Sequence, residues 1–219
     1  MHPLKSLGPD SFLACFYQLS WDTVKKEVCK SVLDFLNHGI FNPFVNCTHI
    51  ALIPKIKSFI SLTDYRSISR CNVLHKFSSK VLANRLKNVL PHIISPNQSA
   101  FIPGCLIINN IMVAFEAMHT MDKRMKGREG YMALKLDMRK AFDRVEWGFL
   151  EAVMQKLGFD AGWIHFFMTC VQTVSYSVLI NGQLFGNIIP SRGIRQGDPF
   201  FPYFFILCAK GLSSLLHKA

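Results

Sequence analysis

The sequence predicts an α+β fold, on three observations. Apolar residues recur at helical spacing over 12–36, 74–90 and the stretch after 199. Two short apolar runs, 49–56 and 131–138, read as strands. The segment 173–190 alternates around Asn181-Gly182, a dipeptide suited to the two positive-φ positions of a type I′ hairpin turn. With 219 residues, half of them hydrophobic, the chain is long enough for one large domain or two small ones.

Taken in order, residues 12–36 place apolar side chains at 13, 16, 17, 21, 24, 28, 32, 35 and 36, one face of a helix. "HIALIPKI" (49–56) reads as a strand closed by Pro54 and Lys55, and 62–76 as a mixture of turn and basic residues. From Leu74 to Leu90, positions 74, 77, 81, 82, 86, 89 and 90 form one helical stripe. Residues 97–119 begin as a Pro/Gly-punctuated loop and become a helix, and the polar 121–130 is the best boundary in the chain. "YMALKLDM" then reads as a strand, followed by a helix over 139–157 with Phe142, Val145, Phe149, Val153 and Leu157 on one face. After the hairpin, the glycine-spaced loop 191–199 leads into a last helix, with Asp198 able to cap it and Pro199 able to sit at its first position.

Only 18% of residues are charged, yet the formal net charge is +11. That imbalance points to an anionic partner such as nucleic acid, nucleotide phosphates or an anionic membrane surface. Between Asp64 and Lys87 six basic residues face one acid. This is either a solvated helix face or a phosphate track, with Arg70, Lys76, Lys80 and Arg85 as nucleic-acid-binding candidates. Seven cysteines without a C-x-x-C pair speak against a disulfide framework or a zinc knuckle. Reduced thiols fit an intracellular, nuclear or cytoplasmic, protein. The apolar stretch 199–209 is eleven residues, too short for a bilayer that needs about 20.

The chemistry centres on "LKLDMRKAFDRVEW" (134–147), where Asp137 ends a strand-like run. Such an aspartate is either a helix cap or a metal position. Magnesium takes one or two carboxylates together with substrate phosphates. The boxes "LDMRKAFDRVEW", "RGIRQGDPFFPYFFIL" and "DYRSISRCNV" resemble the reverse transcriptase of LINE-type (non-LTR) retrotransposons, particularly the plant form. "GPDSFLACFYQLSWDTV", "THIALIPKI", "KVLANRLKNVLP" and "ISPNQSAFIPG" are similar to the same family, so the resemblance runs from about residue 6 onward.

The resemblance implies right-hand polymerase fingers and a partial palm, with an incomplete antiparallel palm sheet packed on helices. Residues 1–129 would be the N-terminal extension and fingers, and 130–219 the partial palm with its first two boxes. It implies Asp137 as the catalytic aspartate, holding Mg²⁺ (or Mn²⁺) with the carbonyl of Met138, in a two-metal phosphoryl transfer. Phe142 matches the aromatic gate under the incoming sugar, where a bulky ring excludes a ribose 2′-hydroxyl. Its ring is also an apolar member of the 142/145/149 stripe. Lys55 and Arg66 match positions near the triphosphate, and Arg195, Gln196 and Gly197 match the second palm box. The implied partners are an RNA template, a DNA primer and deoxynucleoside triphosphates.

The chain also departs from the family. Ser67 stands where the family has proline, Cys105 where it has arginine, Asn109 where it has aspartate, and Ser11 where it has glycine. Arg139 replaces a small residue, and Phe200 and Phe201 replace a leucine and a serine. The aromatic-x-Asp-Asp box is absent, since the sequence contains no Asp-Asp pair. The expectation is a chain truncated before that box and inactive by itself. The alternatives are a non-catalytic nucleic-acid-binding remnant, or a fragment without a stable fold.

Overall fold

The computed structural model describes residues 7–96, 98, 100–102, 104–123, 132–216 and 218. The long N-terminal stripe forms two helices, α1 (Ala14–Leu19) and α2 (Trp21–His38), divided at Ser20. Helix α2 buries Val28, Val32 and Phe35, members of the predicted stripe. It stops at Gly39, whose φ of +69° suits a residue without a Cβ. Next come β1 (Cys47–Pro54), β2 (Tyr65–Cys71), α3 (Val73–Ile93) and α4 (Ile107–Lys123). The second part of the chain gives α5 (Trp147–Lys156), α6 (Ala161–Gln172), β3 (Ser175–Ile180), β4 (Gln183–Ile188) and α7 (Phe201–Leu216).

The strands form one sheet in the order β2-β1-β3-β4. Strands β1 and β2 pair antiparallel, as do β3 and β4. The sheet is nevertheless mixed rather than antiparallel, because β1 and β3 run parallel, from Cys47 opposite Ser175 to Ala51 opposite Leu179. The reason is connectivity: helices intervene between β1 and β3, and such a long crossover lets the chain return in the same direction. The hairpin turn is as the sequence indicates, with Asn181 and Gly182 both at positive φ.

Two strands come from each side of the expected boundary near 121–130, most of which lies outside the described residues. The hydrophobic core also draws on both sides. Phe35, Leu82, Leu86 and Leu90 pack in one cluster with Leu150, Met154, Phe167, Phe204 and Leu207. Within it Phe167 meets Phe200 and Phe204 edge-on, at centroid separations of 5.1 and 5.9 Å.

Three local expectations are corrected. The segment 132–138 is not a strand: it has no regular secondary structure, and Met132, Leu134, Leu136 and Met138 are at least half exposed. A strand needs a neighbour for its N–H and C=O groups, and among the described residues no free strand edge pairs with it. The helix predicted from 139 begins only at Trp147. Lys140 has φ +52°, Phe142–Arg144 make a single 3-10 turn, and Val145 is extended. Residues 65–71, read as part of a turn-rich stretch, form β2. Its side chains are mostly polar, and pairing along the whole of β1 supplies the order that hydrophobic alternation does not.

In α3 the first two turns are buried over more than one face. Val73, His75, Lys76, Ser78 and Ser79 all lie inside, ahead of Leu82, Leu86 and Leu90. Helix α4 is the opposite case, with Ile108, Ile111, Met112, Phe115 and Met118 all exposed.

One residue carries a visible conformational cost. Ser11 sits at φ +58°, a left-handed conformation that glycine adopts freely and a residue with a Cβ does not. Ser11→Gly is expected to raise unfolding stability by about 1 kcal/mol, read from the urea midpoint at unchanged m-value.

Candidate functional site

A cleft of about 320 Å³ opens between the β1–β2 hairpin, the turn after residue 139 and the loop before α7. That volume is in the range of small-molecule sites. Lys55, Arg66, Phe142 and Gln196, four residues singled out from sequence, line it together. Lys140 and Asp143 also line it, so three cations face one carboxylate.

Local bonding explains how each element reaches the cleft. Lys55 Nζ donates to the Thr63 carbonyl at 2.7 Å, and Lys55 N to the Asp64 carbonyl at 2.7 Å, closing the hairpin loop. Inside that loop the Asp64 carboxylate accepts from the backbone N–H of Ser61 at 2.9 Å and of Ile60 at 3.1 Å. Those two bonds hold its pKa below the usual carboxylate value. Arg66 stands opposite Ile53 in the ladder and is exposed toward the cleft side.

Phe142 and Gln196 are tied to each other through backbone. Ile194 N–H donates to the Phe142 carbonyl at 3.0 Å, and Gly193 N–H to the Val145 carbonyl at 2.7 Å. Gly193 has φ +88°, and a Cβ there would lie 3.0 Å from the Asp143 carbonyl oxygen, so glycine permits this approach. Trp147 Nε1 donates to the Gly193 carbonyl at 2.7 Å and holds the same strap. The Phe142 ring lies against Phe201 at 4.0 Å and Phe205 at 4.8 Å. Phe201 thus backs the Phe142 ring.

Residues 53–219 match the family described as reverse transcriptase (RNA-dependent DNA polymerase). The chain belongs to the reverse transcriptase family. It is 28% identical over 98% of its length to the transposon TX1 uncharacterized 149 kDa protein of Xenopus laevis. It is 27% identical over 70% of its length to a retrovirus-related Pol polyprotein from type-1 retrotransposable element R2 of Popillia japonica. It is 26% identical over 74% of its length to the corresponding polyprotein from type-2 element R2DM of Drosophila melanogaster. The chain spans only 16%, 21% and 15% of those three relatives.

Within this reverse transcriptase domain several expected site residues lie elsewhere than in the cleft. Asp137 and Met138 are exposed on the irregular segment 132–138 and do not line it. Among the described residues no group of three His, Cys, Asp or Glu side chains is placed to hold a metal ion, so they do not fit a two-ion site. Gly197 is exposed, at φ +101° beside the Ser69 carbonyl.

Arg195 is corrected from nucleotide binding to an internal role. It is 5% exposed; its Nη2 donates to Asn46 Oδ1, and its Nη1 lies 3.9 Å from Asp198 Oδ2. Lys76, 3% exposed, is likewise too deep to serve a phosphate track, because the start of α3 runs through the interior. Arg70 Nε donates to the Leu7 carbonyl at 2.9 Å. Lys80 is exposed, and exposed Arg85 lies 5.8 Å over the Trp163 ring.

Sequence reasoning missed Lys140 and His75. Lys140 had a signal, its place between Asp137 and Phe142 in a box already singled out. His75 had none, since a lone histidine in a helical stripe does not reveal that its Nε2 will lie 2.5 Å from Asp198 Oδ2, 123 residues away. Burial, with the Arg195 charge next, keeps the His75 pKa below its ordinary 6.5. That direction favours the neutral ring at neutral pH, and a neutral ring bonds an ionised Asp198 by donating from Nε2; its Nδ1 has no hydrogen-bond partner among the described residues. Burial opposes the Asp198 charge, but His75 and Arg195 outweigh it and hold the carboxyl at about 2. Burial also raises the thiols of Cys71, Cys170 and Cys208, the last to about 11, so none of the three is a thiolate nucleophile at neutral pH.

Both members of the His75–Asp198 pair bind protons more weakly folded than unfolded, so stability rises with pH. The His75 contribution is complete above about pH 6.5 and is lost as pH falls below it; the Asp198 contribution is lost from about 3.8 toward 2. His49, also lowered by burial and by Arg70, adds to the first step. In urea titrations at stepped pH, His75→Gln is expected to flatten the fall just below pH 6.5 and leave the more acidic step.

Proposed function

We propose that the cleft holds the triphosphate of a deoxynucleoside triphosphate, as part of an RNA-directed DNA polymerase of a LINE-type, non-LTR retroelement related to plant forms. The observation that carries this is the convergence of Lys55, Arg66, Lys140, Phe142 and Gln196 on one cleft. Lys55 and Lys140 are compact charges, and Arg66 adds a planar fork suited to phosphate oxygens. A triphosphate brings about four negative charges to a wall carrying three cations and one acid. Phe142, backed by Phe201 and Phe205, closes the cleft with an aromatic wall that disfavours a 2′-hydroxyl. In the full reaction an RNA template would select the nucleotide. The primer 3′-oxygen would form a bond to the α-phosphorus while pyrophosphate leaves.

Magnesium or manganese would need carboxylates beyond Asp137. These 219 residues by themselves are therefore proposed to bind nucleotide without turning it over, in an intracellular, nuclear or cytoplasmic, setting. The net charge of +11 supports a second reading, in which the chain only binds nucleic acid.

Nucleotide binding separates the readings, and primer extension tests the proposed inactivity. In equilibrium dialysis with a deoxynucleoside triphosphate, Lys55→Ala and Arg66→Ala are each expected to weaken binding about tenfold, equivalent to about 1.4 kcal/mol. Phe142→Ala is expected to narrow the preference for deoxy- over ribonucleotide. Unchanged affinity in the Lys55→Ala/Arg66→Ala double variant would leave only the nucleic-acid reading. In primer extension on an RNA template with Mg²⁺, no incorporation is expected; incorporation abolished by Asp137→Ala would overturn the proposed inactivity.

A further inference from the structure

We infer that His75, at the buried start of α3, is a positioning residue that acts through Asp198 to hold the Arg195–Asp198 turn and so presents Gln196 to the cleft. The turn's geometry is the first observation. Asp198 N–H reaches back to the Arg195 carbonyl at 3.4 Å, and Gly197, the third residue, has the positive φ of +101° that a type II turn requires. Gln196 and Gly197 are exposed, while the residues on either side of them are buried.

The second observation is how the two buried ends are held. Arg195 is fixed by Asn46, whose Nδ2 in turn donates to Thr173 Oγ1 at 2.8 Å and to the Cys170 carbonyl at 3.2 Å. Asp198 is fixed by His75 at 2.5 Å and by the Phe200 N–H at 2.9 Å. The Phe200 bond is local and comes with the turn. Among the described residues, the His75 bond is the one that ties this end to a different part of the fold. Neutral His75 satisfies the carboxylate without adding charge, so Asp198 and Arg195 balance one another inside. The His75 ring is itself set by Phe41, 5.3 Å away between centroids. Without the His75 donor, Asp198 keeps, among the described residues, the Phe200 N–H and the turn's own Arg195, 3.9 Å off. The turn is then free to move relative to α3, and Gln196 with it.

The link from Gln196 to ligand rests on the nucleotide reading above; the link from His75 to the turn does not. The experiment therefore measures both on the full 219-residue chain. Amide hydrogen exchange is compared in the wild type, His75→Leu, and His75→Gln, whose side-chain amide nitrogen takes the place of the histidine Nε2. His75→Asn, whose amide stops short of Asp198, replaces the leucine variant if that one does not fold. Exchange at the Asp198 amide is expected to speed at least tenfold in His75→Leu or His75→Asn, with α6 amides unchanged, and to return near wild type in His75→Gln. Exchange that is unaltered, that rises equally in α6, or that His75→Gln does not restore, would overturn the inference.

In parallel, dATP binding is titrated. His75→Leu and Gln196→Ala are each expected to weaken it about tenfold, and their combination no further. Additive losses would show that His75 does not act through Gln196. If wild-type protein does not bind dATP, the nucleotide reading fails, and the exchange data still decide whether His75 holds the turn.

Discussion

Two buried side-chain bonds tie the loop before α7 to elements more than 120 residues earlier in the chain. Arg195 and Asp198 come from the loop before α7, and they are received by Asn46 near β1 and by His75 in α3. Desolvating such groups costs several kcal/mol per ion, so the pair is weak evidence for stability. An apolar replacement of similar size could pack the same space in several ways. A guanidinium that bonds Asn46 through Nη2 and a carboxylate that bonds His75 narrow those choices. The position of the loop relative to the sheet follows from that.

The cleft is a consequence of this arrangement rather than a separate construction. The loop that carries Gln196 is strapped by backbone bonds to the turn that carries Phe142, and Gly193 makes the approach possible. The β1–β2 hairpin brings Lys55 and Arg66 to the opposite wall. Phosphate recognition by the cleft would thus depend on three separate stretches of chain, held by one buried network and one pair of backbone bonds. The same burial that fixes Arg195 removes it from contact with any ligand.

Asp137 presents the contrast. It lies on a segment whose apolar side chains, Leu134, Leu136 and Met138, remain exposed, while helix α4 exposes a stripe of its own. Positioning a metal ligand takes a rigid support, and a segment without regular structure, unpaired among the described residues, does not supply one. The cleft's cations are placed by paired strands and bonded turns, whereas the implied metal ligand is not. This difference is why binding and turnover separate in the proposed function.

The sequence alone determined most of the elements that depend on local chemistry. The apolar spacing of α2 and the Asn181-Gly182 turn were legible because helix period and turn dihedrals are properties of a few neighbouring residues. Lys55, Arg66, Phe142 and Gln196 were legible as ordered motifs. What tertiary structure decided is every feature that depends on a distant partner. Strand β2 exists because β1 lies beside it, whereas 132–138, with a better strand pattern, has no such neighbour among the described residues. Arg195 and Lys76 read as surface cations but are buried: the fold brings Asn46 to Arg195 from 149 residues away and runs the start of α3, with Lys76, through the interior, neither of which local sequence reveals. His75 acquires its meaning only when Asp198 arrives from 123 residues away, a distance over which no local pattern carries information.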